Sequence, residues 1–542
     1  MKEIKTKATI GLLATIITYM SLNSLYRALD PEAFIWYEED REERSWIATS
    51  KYWLDRKACR WLSICGAAHF RWVKPQVSKW QQEHPDMTTV SLEDDWDWQH
   101  AWSEGKDKPE DWSDDERILR EIPDYVIEYA PLVHLFSGEQ FWPCDVAEHL
   151  HHVDSYLNYT PMQSEYQHRT LRNLDELNQF QHGRHVFLTS KDDVEERPEW
   201  LEGEKNIPNS PPDSGWQESL GEHFPGSSFF HRDHSVENDE TKKEWSRASY
   251  EAGDETYNSA STFGHHGRYH QAIQQELRRR EAASSPQEHE ILGGRSEAPA
   301  VLVVVDKGHG IVDAFWFFFY SYNLGNVVFN VRFGNHVGDW EHTAIRFHHG
   351  IPKAVFFSEH NFGSAYSYGA VEKYGKRPVI YSATGTHAMY ATSGLHPYVL
   401  PWGILHDQTD KGPLWDPALN SHMFTYDHKN DTLRSSNLTP KAPTEWFFYA
   451  GHWGDKFYPL GDRRQYRFAG QYHYVNGPLG PRFKNLGRKK ICGGPDSENC
   501  VIKNWLDGST RLERYKNPGE GEELTVEQEE HFFGHDEELT AL

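Results

Sequence analysis

The sequence predicts a mainly β protein built around an antiparallel β-sandwich core. After Pro299, short apolar runs follow one another closely, beginning with "AVLVVVDKG" and "AFWFFFYSYN". Glycine, asparagine and proline turns separate these runs, and few helical periods come between them. Only 37% of the 542 residues are hydrophobic, so we expect a folded core that carries long polar additions.

The N-terminus predicts a hydrophobic targeting segment. Lys2, Lys5 and Lys7 give residues 1–7 a positively charged, cytosolic tip, and an apolar run occupies residues 8–25. The pattern fits either a signal anchor or a signal peptide, and the lack of a clean cleavage site favours the anchor. The bulk of the chain would then be lumenal, as a single-pass membrane protein of the secretory or vacuolar system. Cleavage would make it a secreted protein instead.

Residues 26–118 predict a polar, tryptophan-rich stalk, as in "SLEDDWDWQHAW", with one helix near "YWLDRKACRWL". Residues 119–203 then form the first part of the folded domain. Within it, we expect a strand over Val126–Leu135 and a helix that starts near Asp145.

Residues 204–297 predict a disordered insertion, because they are rich in serine, proline, glycine and charge and lack a sustained apolar period. Residues 298–505 hold the main part of the domain. Since neither flank looks complete by itself, the insertion is expected to lie inside one domain. Residues 506–542 predict an acidic tail, which from Glu520 onward contains no lysine or arginine.

The five cysteines include two close pairs, Cys59/Cys65 and Cys492/Cys500. Each pair could close a small loop as a disulfide in an oxidising compartment. The alternative is that all the cysteines are free, buried thiols. The spacing alone leaves both interpretations open.

Three asparagines stand in sequons for N-glycosylation: Asn158, Asn430 and Asn437. They agree with a lumenal address, although such triplets also occur by chance in long chains. The formal net charge of -26 excludes a nucleic-acid-binding protein, because no basic stripe is available to neutralise phosphates. The same charge would repel an anionic membrane surface unless a bound cation bridged the two.

The stretch "FGNHVGDWEHTAIRF" contains the main candidate site, which consists of His336, Asp339 and Glu341. Strand alternation places both acids on one face, in a row that becomes apolar further along. Two carboxylates so arranged repel each other unless a proton, an arginine or a cation intervenes. Oxygen ligands with one imidazole suit a divalent cation such as Ca²⁺ or Mg²⁺.

The alternative interpretation of this stretch is structural. In that case Asp339 caps the turn, and Glu341 forms an ion pair with Arg332 or Arg346. The spacing of His336, Asp339 and Glu341 is not specific enough to choose between the two by itself.

Further candidate residues follow the main stretch. His387 comes just after a glycine at the end of an apolar strand, and Asp407 and Asp410 lie in a charged loop. The common signatures of nucleotide-binding proteins and of serine and zinc hydrolases are absent from the sequence. Binding is therefore favoured over catalysis.

Several long runs resemble the fungal vacuolar protein sorting-associated protein 62 family. Among them are "IPDYVIEYAPLVHLFSGEQFWPCDVAEHL", "VDKGHGIVDAFWFFFYSYNLGNVVFNVRFGNHVGDWEHTAIRF" and "AGHWGDKFYPLGDRRQYRFAGQYHYVNGPLGPRFK". The resemblance covers residues 120–203 and 298–505. It implies a role in delivering proteins to the vacuole and no established biochemical activity.

A shorter resemblance connects the candidate site to the necrosis- and ethylene-inducing-like proteins. Their heptapeptide Gly-His-Arg-His-Asp-Trp-Glu matches this chain at His336, Asp339, Trp340 and Glu341, and departs from it at three positions, including Gly338. Those proteins are β-sandwiches that hold a divalent cation and bind sphingolipid headgroups. The likeness implies a cation here too, with Asn323 standing where that family has a further acidic ligand.

Three hypotheses follow. The first is a lumenal binding module whose divalent cation, Ca²⁺ or Mg²⁺, engages a glycan or sphingolipid headgroup during vacuolar trafficking, with the N-terminal segment in the membrane. The second is a metal-dependent hydrolase that uses the same cluster, with His387 as acid or base. The third is a structural sorting scaffold without a ligand.

Overall fold

The structure, a computed structural model, describes residues 38–71, 98–162, 169–209, 293–360, 362–398, 404–494 and 500–506, with scattered positions between 10 and 29. Residues 1–9, the insertion from 210 to 292 and the tail from 507 onward lie outside the described residues, and the predicted apolar segment 8–25 is described only at scattered positions. Among the helices that the described residues form, none combines the length and apolar character needed to cross a bilayer.

Helices in the described chain lie before residue 203. They are α1 (Glu38–Thr49), α2 (Trp53–Leu62), α3 (Trp98–Ala101), α4 (Asp114–Leu119), α5 (Asp124–Glu128), α6 (Val146–His151) and α7 (Glu199–Glu202). Short 3₁₀ turns occupy Ala67–His69, Pro109–Asp111, Leu174–Gln179, Gln181–Gly183, Val194–Glu196, Glu204–Asn206, Pro417–Leu419, Glu445–Phe448 and Pro481–Phe483.

Strands dominate the rest of the described chain. They are β1 (Leu132–His134), β2 (Val153–Leu157), β3 (Thr160–Pro161), β4 (Val186–Ser190), β5 (Ala300–Gly308), β6 (Ile311–Asn323), β7 (Val327–Val328), β8 (Val331–Arg332), β9 (His336–His348), β10 (Ile351–Glu359), β11 (Phe362–Ser367), β12 (Lys373–Tyr374), β13 (Arg377–Ser382), β14 (Met389–Tyr390), β15 (Gly394–Pro397), β16 (His406–Thr409), β17 (Leu414–Trp415), β18 (Ser421–Asp427), β19 (Thr432–Ser435), β20 (Arg467–Phe468), β21 (Gln471–Tyr472) and β22 (Ile502–Lys503).

The main sheet has eight strands in the order β19-β18-β5-β6-β9-β10-β11-β22 within the described chain. Its centre is antiparallel, whereas the pairs β18/β5 and β11/β22 are parallel. The central strands β6 and β9 pair along their whole length, from Ile311 opposite His348 to Asn323 opposite His336. These two strands carry the candidate site at one of their shared ends.

A smaller second sheet has the order β12-β13-β1-β17, with β14 added to β13. Alternate residues of the main sheet, such as Leu302 and Trp316, pack in one apolar cluster with Val133, Ile380 and Trp415 of the second sheet. The two sheets therefore form a β-sandwich, as the sequence predicts. The mainly β class is confirmed.

The other face of the main sheet is covered as well. Val303 and Phe317 pack there with Leu150 of α6 and with Trp446 and Trp453 of the C-terminal part. Because both faces are buried, β5 and β6 are mainly apolar, and the many polar side chains on their neighbour β9 are unusual.

The chain departs from the prediction over Val126–Leu135. A helix, α5, begins at Asp124 directly after Pro123, and the strand β1 is limited to Leu132–His134. Proline and an acidic residue at the first positions favour a helix start, which outweighs the β-forming valine and isoleucine. The helix start expected at Asp145 is present, and its carboxylate accepts the backbone N–H of Ala147 at 2.7 Å.

The described part of the predicted stalk is packed against the C-terminal part of the domain. Lys456 forms an ion pair with Glu38 at 2.5 Å, and Arg467 forms ion pairs with Asp40 and Glu43 of α1. Four of these charged side chains are thus used within the fold, since Asp40, Glu43, Lys456 and Arg467 are all buried. A polar sequence is not by itself a sign of a detached segment, because paired charges can be buried.

The edges of the predicted insertion meet in space. The backbone of Asn209 exchanges hydrogen bonds of 2.8 and 2.9 Å with Arg295. The described residues on either side of positions 210–292 therefore lie next to each other in the fold. Disulfides join Cys59 to Cys65 and Cys492 to Cys500, the two close pairs of the sequence, and Cys144 is a buried free thiol.

Candidate functional site

The predicted residues Asp339 and Glu341 lie on the face of β9 that is turned toward the second sheet. In the pairing with β6, Asp339 stands opposite Tyr320 and Glu341 opposite Phe318. Both acids are nearly inaccessible, with 5% and 4% of their surface exposed. Burial of two carboxylates so close together is unfavourable unless protons or partners compensate it.

Gly338 sets the course of the strand at this point. Its φ of +69° lies in the left-handed region, and a Cβ atom there would stand 2.1 Å from the carbonyl oxygen of Trp453. Only glycine fits this close backbone approach. The Gly338 carbonyl in turn accepts a hydrogen bond of 2.6 Å from Nδ1 of His336.

His387 forms a buried pair with Asp339. Its Nδ1 lies 3.0 Å from Oδ2 of Asp339, its Nε2 lies 2.9 Å from the carbonyl oxygen of Phe141, and its ring stacks on Tyr320 at 3.7 Å between centroids. A carbonyl only accepts, so Nε2 carries a proton and donates it. A neutral ring would then turn a lone pair toward the carboxylate. A hydrogen bond between His387 and Asp339 then requires a proton on Nδ1 or on Oδ2.

The loop that carries His387 is hydrogen-bonded to the first part of the domain. Glu139 accepts the backbone N–H of Gly385 at 2.8 Å, and the carbonyl of Gly385 accepts the N–H of Leu324 at the same distance. His387 itself has a φ of +55°, a conformation that costs free energy for a non-glycine residue. The surrounding hydrogen bonds maintain this conformation and keep the ring on Asp339.

Glu341 is the second acid of the pair. Its Oε2 accepts a hydrogen bond from the hydroxyl of Ser358. Burial, and next to it the negative charge of Asp339, raise the pKa of Glu341 to about 8. The carboxyl is therefore largely protonated at neutral pH, which removes most of the repulsion that the sequence pattern implies.

Asp407 is saturated with hydrogen bonds. Its Oδ1 accepts from Asn326 at 2.7 Å and from Thr386 at 2.9 Å, and its Oδ2 accepts from Tyr390 at 2.8 Å. Nε2 of His360 lies 2.7 Å from the same Oδ2. Burial opposes the charge of Asp407, but these partners outweigh it and lower its pKa. Asp407 is therefore an anion at neutral pH.

His360 is the more accessible histidine of the site. Its side chain is 28% exposed. Burial lowers its pKa, but the hydrogen bond and the charge of Asp407, together with Glu341 and Asp339, raise it above the ordinary value of 6.5. We call the group of His336, Asp339, Glu341, His360, His387 and Asp407 the polar cluster. Electrostatic interactions among its members connect the two acids on β9 with the Asp407–His360 pair.

His336, a member of the polar cluster, lies opposite Asn323 where β6 ends and β9 begins. Because Nδ1 of His336 donates to Gly338, its Nε2 has the lone pair of the neutral tautomer. Burial lowers the pKa of His336, which favours this neutral form. The amide of Asn323 donates to the carbonyl of Gly334 at 2.8 Å. Asn323 thus contributes to backbone structure beside the histidine.

The remaining predicted site residue is engaged elsewhere. Asp410 accepts hydrogen bonds from the backbone and hydroxyl of Ser137, not from a member of the polar cluster. The structural alternative for Glu341 is wrong as well. Arg346 forms a bidentate pair with Asp313 at 2.7 and 2.8 Å on the opposite face, and Arg332 donates to the carbonyl of Gly325.

Sequence reasoning missed His360 and Ser358. Both stand at the end of β10, in "AVFFSEH", where alternation alone predicts a strand end and not a site. A serine and a histidine that close an otherwise apolar strand were the available signal. Their partners become visible only in three dimensions: His360 lies on Asp407, 47 residues further along the chain, and Ser358 donates to Glu341.

The donor types of the polar cluster fit a hard divalent cation, which takes carboxylate oxygens and tolerates a neutral imidazole. In the structure these groups contact one another through hydrogen bonds, as His387 does with Asp339 and His360 with Asp407. In the part of the chain that the structure describes, one trio of potential ligand atoms lies within 4.8 Å of one another, formed by Glu43, Cys59 and Cys65. Because those cysteines are joined in a disulfide, they do not form a metal site.

A pH prediction follows for Glu341. The folded pKa exceeds the ordinary 4.5, so the folded state binds more protons between these values, and stability falls as pH rises from about 4.5 toward 8. Glu341→Gln imitates the protonated carboxyl. We expect urea unfolding to show the variant gaining stability over the parent chain as pH rises from 5 to about 8. A constant difference between the two proteins across this range would contradict the assignment.

Comparison with known proteins gives consistent matches. The family model for vacuolar protein sorting-associated protein 62 matches residues 311–458, which include every member of the polar cluster. The provisionally named vacuolar protein sorting-associated protein TDA6 of Saccharomyces cerevisiae is 35% identical over 73% of this chain and 73% of its own length. Vacuolar protein sorting-associated protein 62 of the same yeast is 32% identical over 71% of each chain. No solved structure matches the chain significantly. The chain therefore belongs to the vacuolar protein sorting-associated protein 62 family.

Proposed function

We propose that this chain acts in vacuolar protein sorting and that its β-sandwich is a binding module regulated by a divalent cation, Ca²⁺ or Mg²⁺, at the polar cluster. The sorting role rests on the family and on the names of the two yeast relatives. The cation rests on one observation of the site. Two acids, Asp339 and Glu341, are buried together on one face of β9, with Nδ1 of His387 3.0 Å from Asp339 and with the pKa of Glu341 raised to about 8 by burial and by Asp339.

Protons and cations compete for carboxylates. Asp339 and Glu341 would supply the oxygen ligands, and His336 would supply Nε2 while its Nδ1–H stays on the Gly338 carbonyl. A hydrogen bond at the other ring nitrogen is the usual way in which a ligating histidine is oriented. The bound cation would add positive charge beside the accessible His360, where a glycan or sphingolipid headgroup could be engaged.

The test is calorimetric titration of the purified full-length chain with CaCl₂ and, separately, MgCl₂. We expect binding that releases protons and therefore strengthens as pH rises through about 8, the pKa of Glu341. Asp339→Asn/Glu341→Gln should remove the binding heat. Asp410→Asn is the matched control, since Asp410 is an acid of the same region that bonds to Ser137 instead. Equal binding by both variants, or none by the parent chain, would overturn the cation proposal and favour the scaffold without a ligand.

The structure changes the assignment of residues for the rival hydrolase hypothesis. His387 is fully buried and uses both ring nitrogens within the fold, so it is poorly placed as acid or base for an external substrate. The Asp407–His360 pair is the better acid–base candidate, because a buried carboxylate orients an accessible imidazole. Turnover of a phosphoester or glycoside by the parent chain, lost in His360→Gln, would favour this second function.

The predicted sequons differ in accessibility, which bears on a lumenal address. Asn430 is exposed in the turn between β18 and β19. Asn158 is half-buried and its side chain accepts a hydrogen bond from Lys456 at 2.7 Å. Asn437 is half-buried and accepts from the backbone of Ile122. If the domain is lumenal, Asn430 is the most accessible site for a glycan.

A further inference from the structure

Helix α2 presents an unusual exposed face. Trp53, Leu54 and Trp61 are 62%, 65% and 53% exposed, and Tyr52, just before the helix, is 63% exposed. Large apolar side chains that are exposed singly are common, whereas a group of them on one short element indicates an interaction surface.

The exposed side chains form one continuous face. At about 100° per residue, positions 53, 54, 57, 60 and 61 fall within an arc of about 120°. Asp55 and Cys59 lie on the opposite side and are buried. The helix is thus amphipathic, but it buries its acidic residue and exposes its tryptophans.

The charges on the exposed face are all positive. Lys57 and Arg60 are exposed within the arc, and Lys51 is exposed just before it. The helix has one acidic residue, Asp55, and its carboxylate is turned inward to accept the Nε1–H of Trp46 and the backbone N–H of Ala67. Among the described residues, no ion pair involves Lys57 or Arg60. The exposed face of α2 is therefore positively charged, although the chain as a whole has a formal charge of -26.

The packing of the opposite side of α2 fixes the orientation of the exposed face. The disulfide between Cys59 and Cys65 lies in a small buried cluster with Phe457, Leu460 and Tyr472 of the C-terminal part. The residue that follows the helix, Ser63, donates its backbone N–H to the carbonyl of Cys59 at 3.1 Å. Trp53 and Trp61 therefore cannot turn inward without breaking this cluster.

We propose that the face formed by Tyr52, Trp53, Leu54, Lys57, Arg60 and Trp61, which we call the α2 face, docks onto an anionic lipid bilayer. Tryptophan and tyrosine favour the boundary between headgroups and acyl chains, and lysine and arginine beside them attract lipid phosphates and anionic headgroups. The predicted apolar segment 8–25 precedes α2 closely in the sequence, which would keep this face near a membrane. The remaining surface, with its net negative charge, is repelled, so contact is confined to the α2 face.

The test measures partition of the full-length chain onto vesicles of phosphatidylcholine, alone or with about 20 mol% phosphatidylserine. We expect stronger partition onto the anionic vesicles, weakened by salt. Lys57→Gln/Arg60→Gln should lower the partition coefficient for the anionic vesicles on the order of 30-fold, because each cation near the surface contributes about a factor of five. Trp53→Ser/Trp61→Ser should lower it for both kinds of vesicle.

The matched control is Ile351→Ser/Leu395→Ser, which removes two side chains of similar exposure, 58% and 62%, from other parts of the domain. It should leave partition unchanged, and all variants should keep the thermal midpoint of the parent chain. Brominated lipids should quench the tryptophan fluorescence that Trp53→Phe/Trp61→Phe removes. Undiminished partition of both α2 variants would assign membrane contact to another segment and overturn the proposal. Absence of quenching would also overturn the proposal, since the α2 face would then contact protein and not lipid.

Discussion

Replacing Asp407 by alanine is expected to lower the free energy of unfolding by about 3–5 kcal/mol, the range for removing one partner of a buried charge pair. The side chain is 1% exposed and accepts hydrogen bonds from Asn326, Thr386 and Tyr390 and from Nε2 of His360. Alanine would leave these four donors without their acceptor. Buried donors that lose their partner each cost free energy.

The pH dependence of this loss distinguishes the pair from simple packing. The pKa of Asp407 is lowered from 3.8, so its contribution is present above that value and is lost as pH falls through the lowered pKa. The pKa of His360 is raised from 6.5, so its contribution is present below 6.5 and is lost as pH rises through the raised pKa. The difference between the parent chain and Asp407→Ala should therefore be largest between about pH 4 and 6.5.

Urea unfolding of both proteins across this pH range measures the effect. Nuclear magnetic resonance titration of His360 in Asp407→Asn should also show its pKa falling, because burial then acts without the opposing carboxylate. The control is Asp154→Ala, an exposed acid 3.7 Å from Lys191, with an expected change within about 0.5 kcal/mol. A loss for Asp407→Ala that is as small as the control, or independent of pH, would contradict the assigned role.

Gly338→Ala is expected to lower the free energy of unfolding by about 3 kcal/mol or more, although it adds a single methyl group. The left-handed backbone accounts for about 1–2 kcal/mol for a non-glycine residue. The methyl group would also stand 2.1 Å from the Trp453 carbonyl oxygen, and backbone on both sides resists the displacement. The Gly338 carbonyl accepts the hydrogen bond that orients His336. We therefore expect the proposed cation binding to be weaker in this variant as well.

Gly334→Ala separates these two causes. Gly334 has a φ of +81°, but a Cβ atom there would meet nothing within 4 Å. It should therefore show the backbone cost alone, about 1–2 kcal/mol. Thermal and urea unfolding of the two variants give the comparison. Equal losses at the two positions would show that the contact with Trp453 contributes nothing.

The same contact distinguishes this stretch from the heptapeptide of the necrosis- and ethylene-inducing-like proteins, which it resembles at four positions. Where that motif has its second histidine, this chain has Gly338, and the packing of β9 on Trp453 leaves no room for a larger side chain. The histidine contacts of the site come instead from His360 and His387, which are distant in sequence. A short motif therefore describes this site only partly.

Much of the fold could be predicted from local pattern. The strands β5 and β6 follow from continuous apolar runs bounded by turn residues, and the alternation along β9 places Asp339 and Glu341 on one face and Trp340 on the other. Both disulfide pairs stand where close spacing suggested them. Such features depend on residues a few positions apart, which is the range that sequence periodicity reports.

The partners of the candidate residues could not be predicted in this way. Asp339 is joined to His387 at a separation of 48 residues, and Asp407 to His360 at a separation of 47. Period-2 alternation shows which face a carboxylate takes, but it carries no information about what the second sheet places against that face. The alternative in which Glu341 pairs with Arg346 was wrong for this reason. Arg346 instead pairs with Asp313 on the opposite face.

The sequence by itself determined the mainly β class, the principal apolar strands after Pro299 and the presence of a charged row at the start of β9. Only the tertiary structure decided that Asp339 pairs with His387, that burial and Asp339 raise the pKa of Glu341, and that α2 turns its tryptophans outward. The physical reason is the same in each case. Protonation and exposure depend on the groups and the solvent around a side chain, and the folded chain assembles those surroundings from segments that are far apart in sequence.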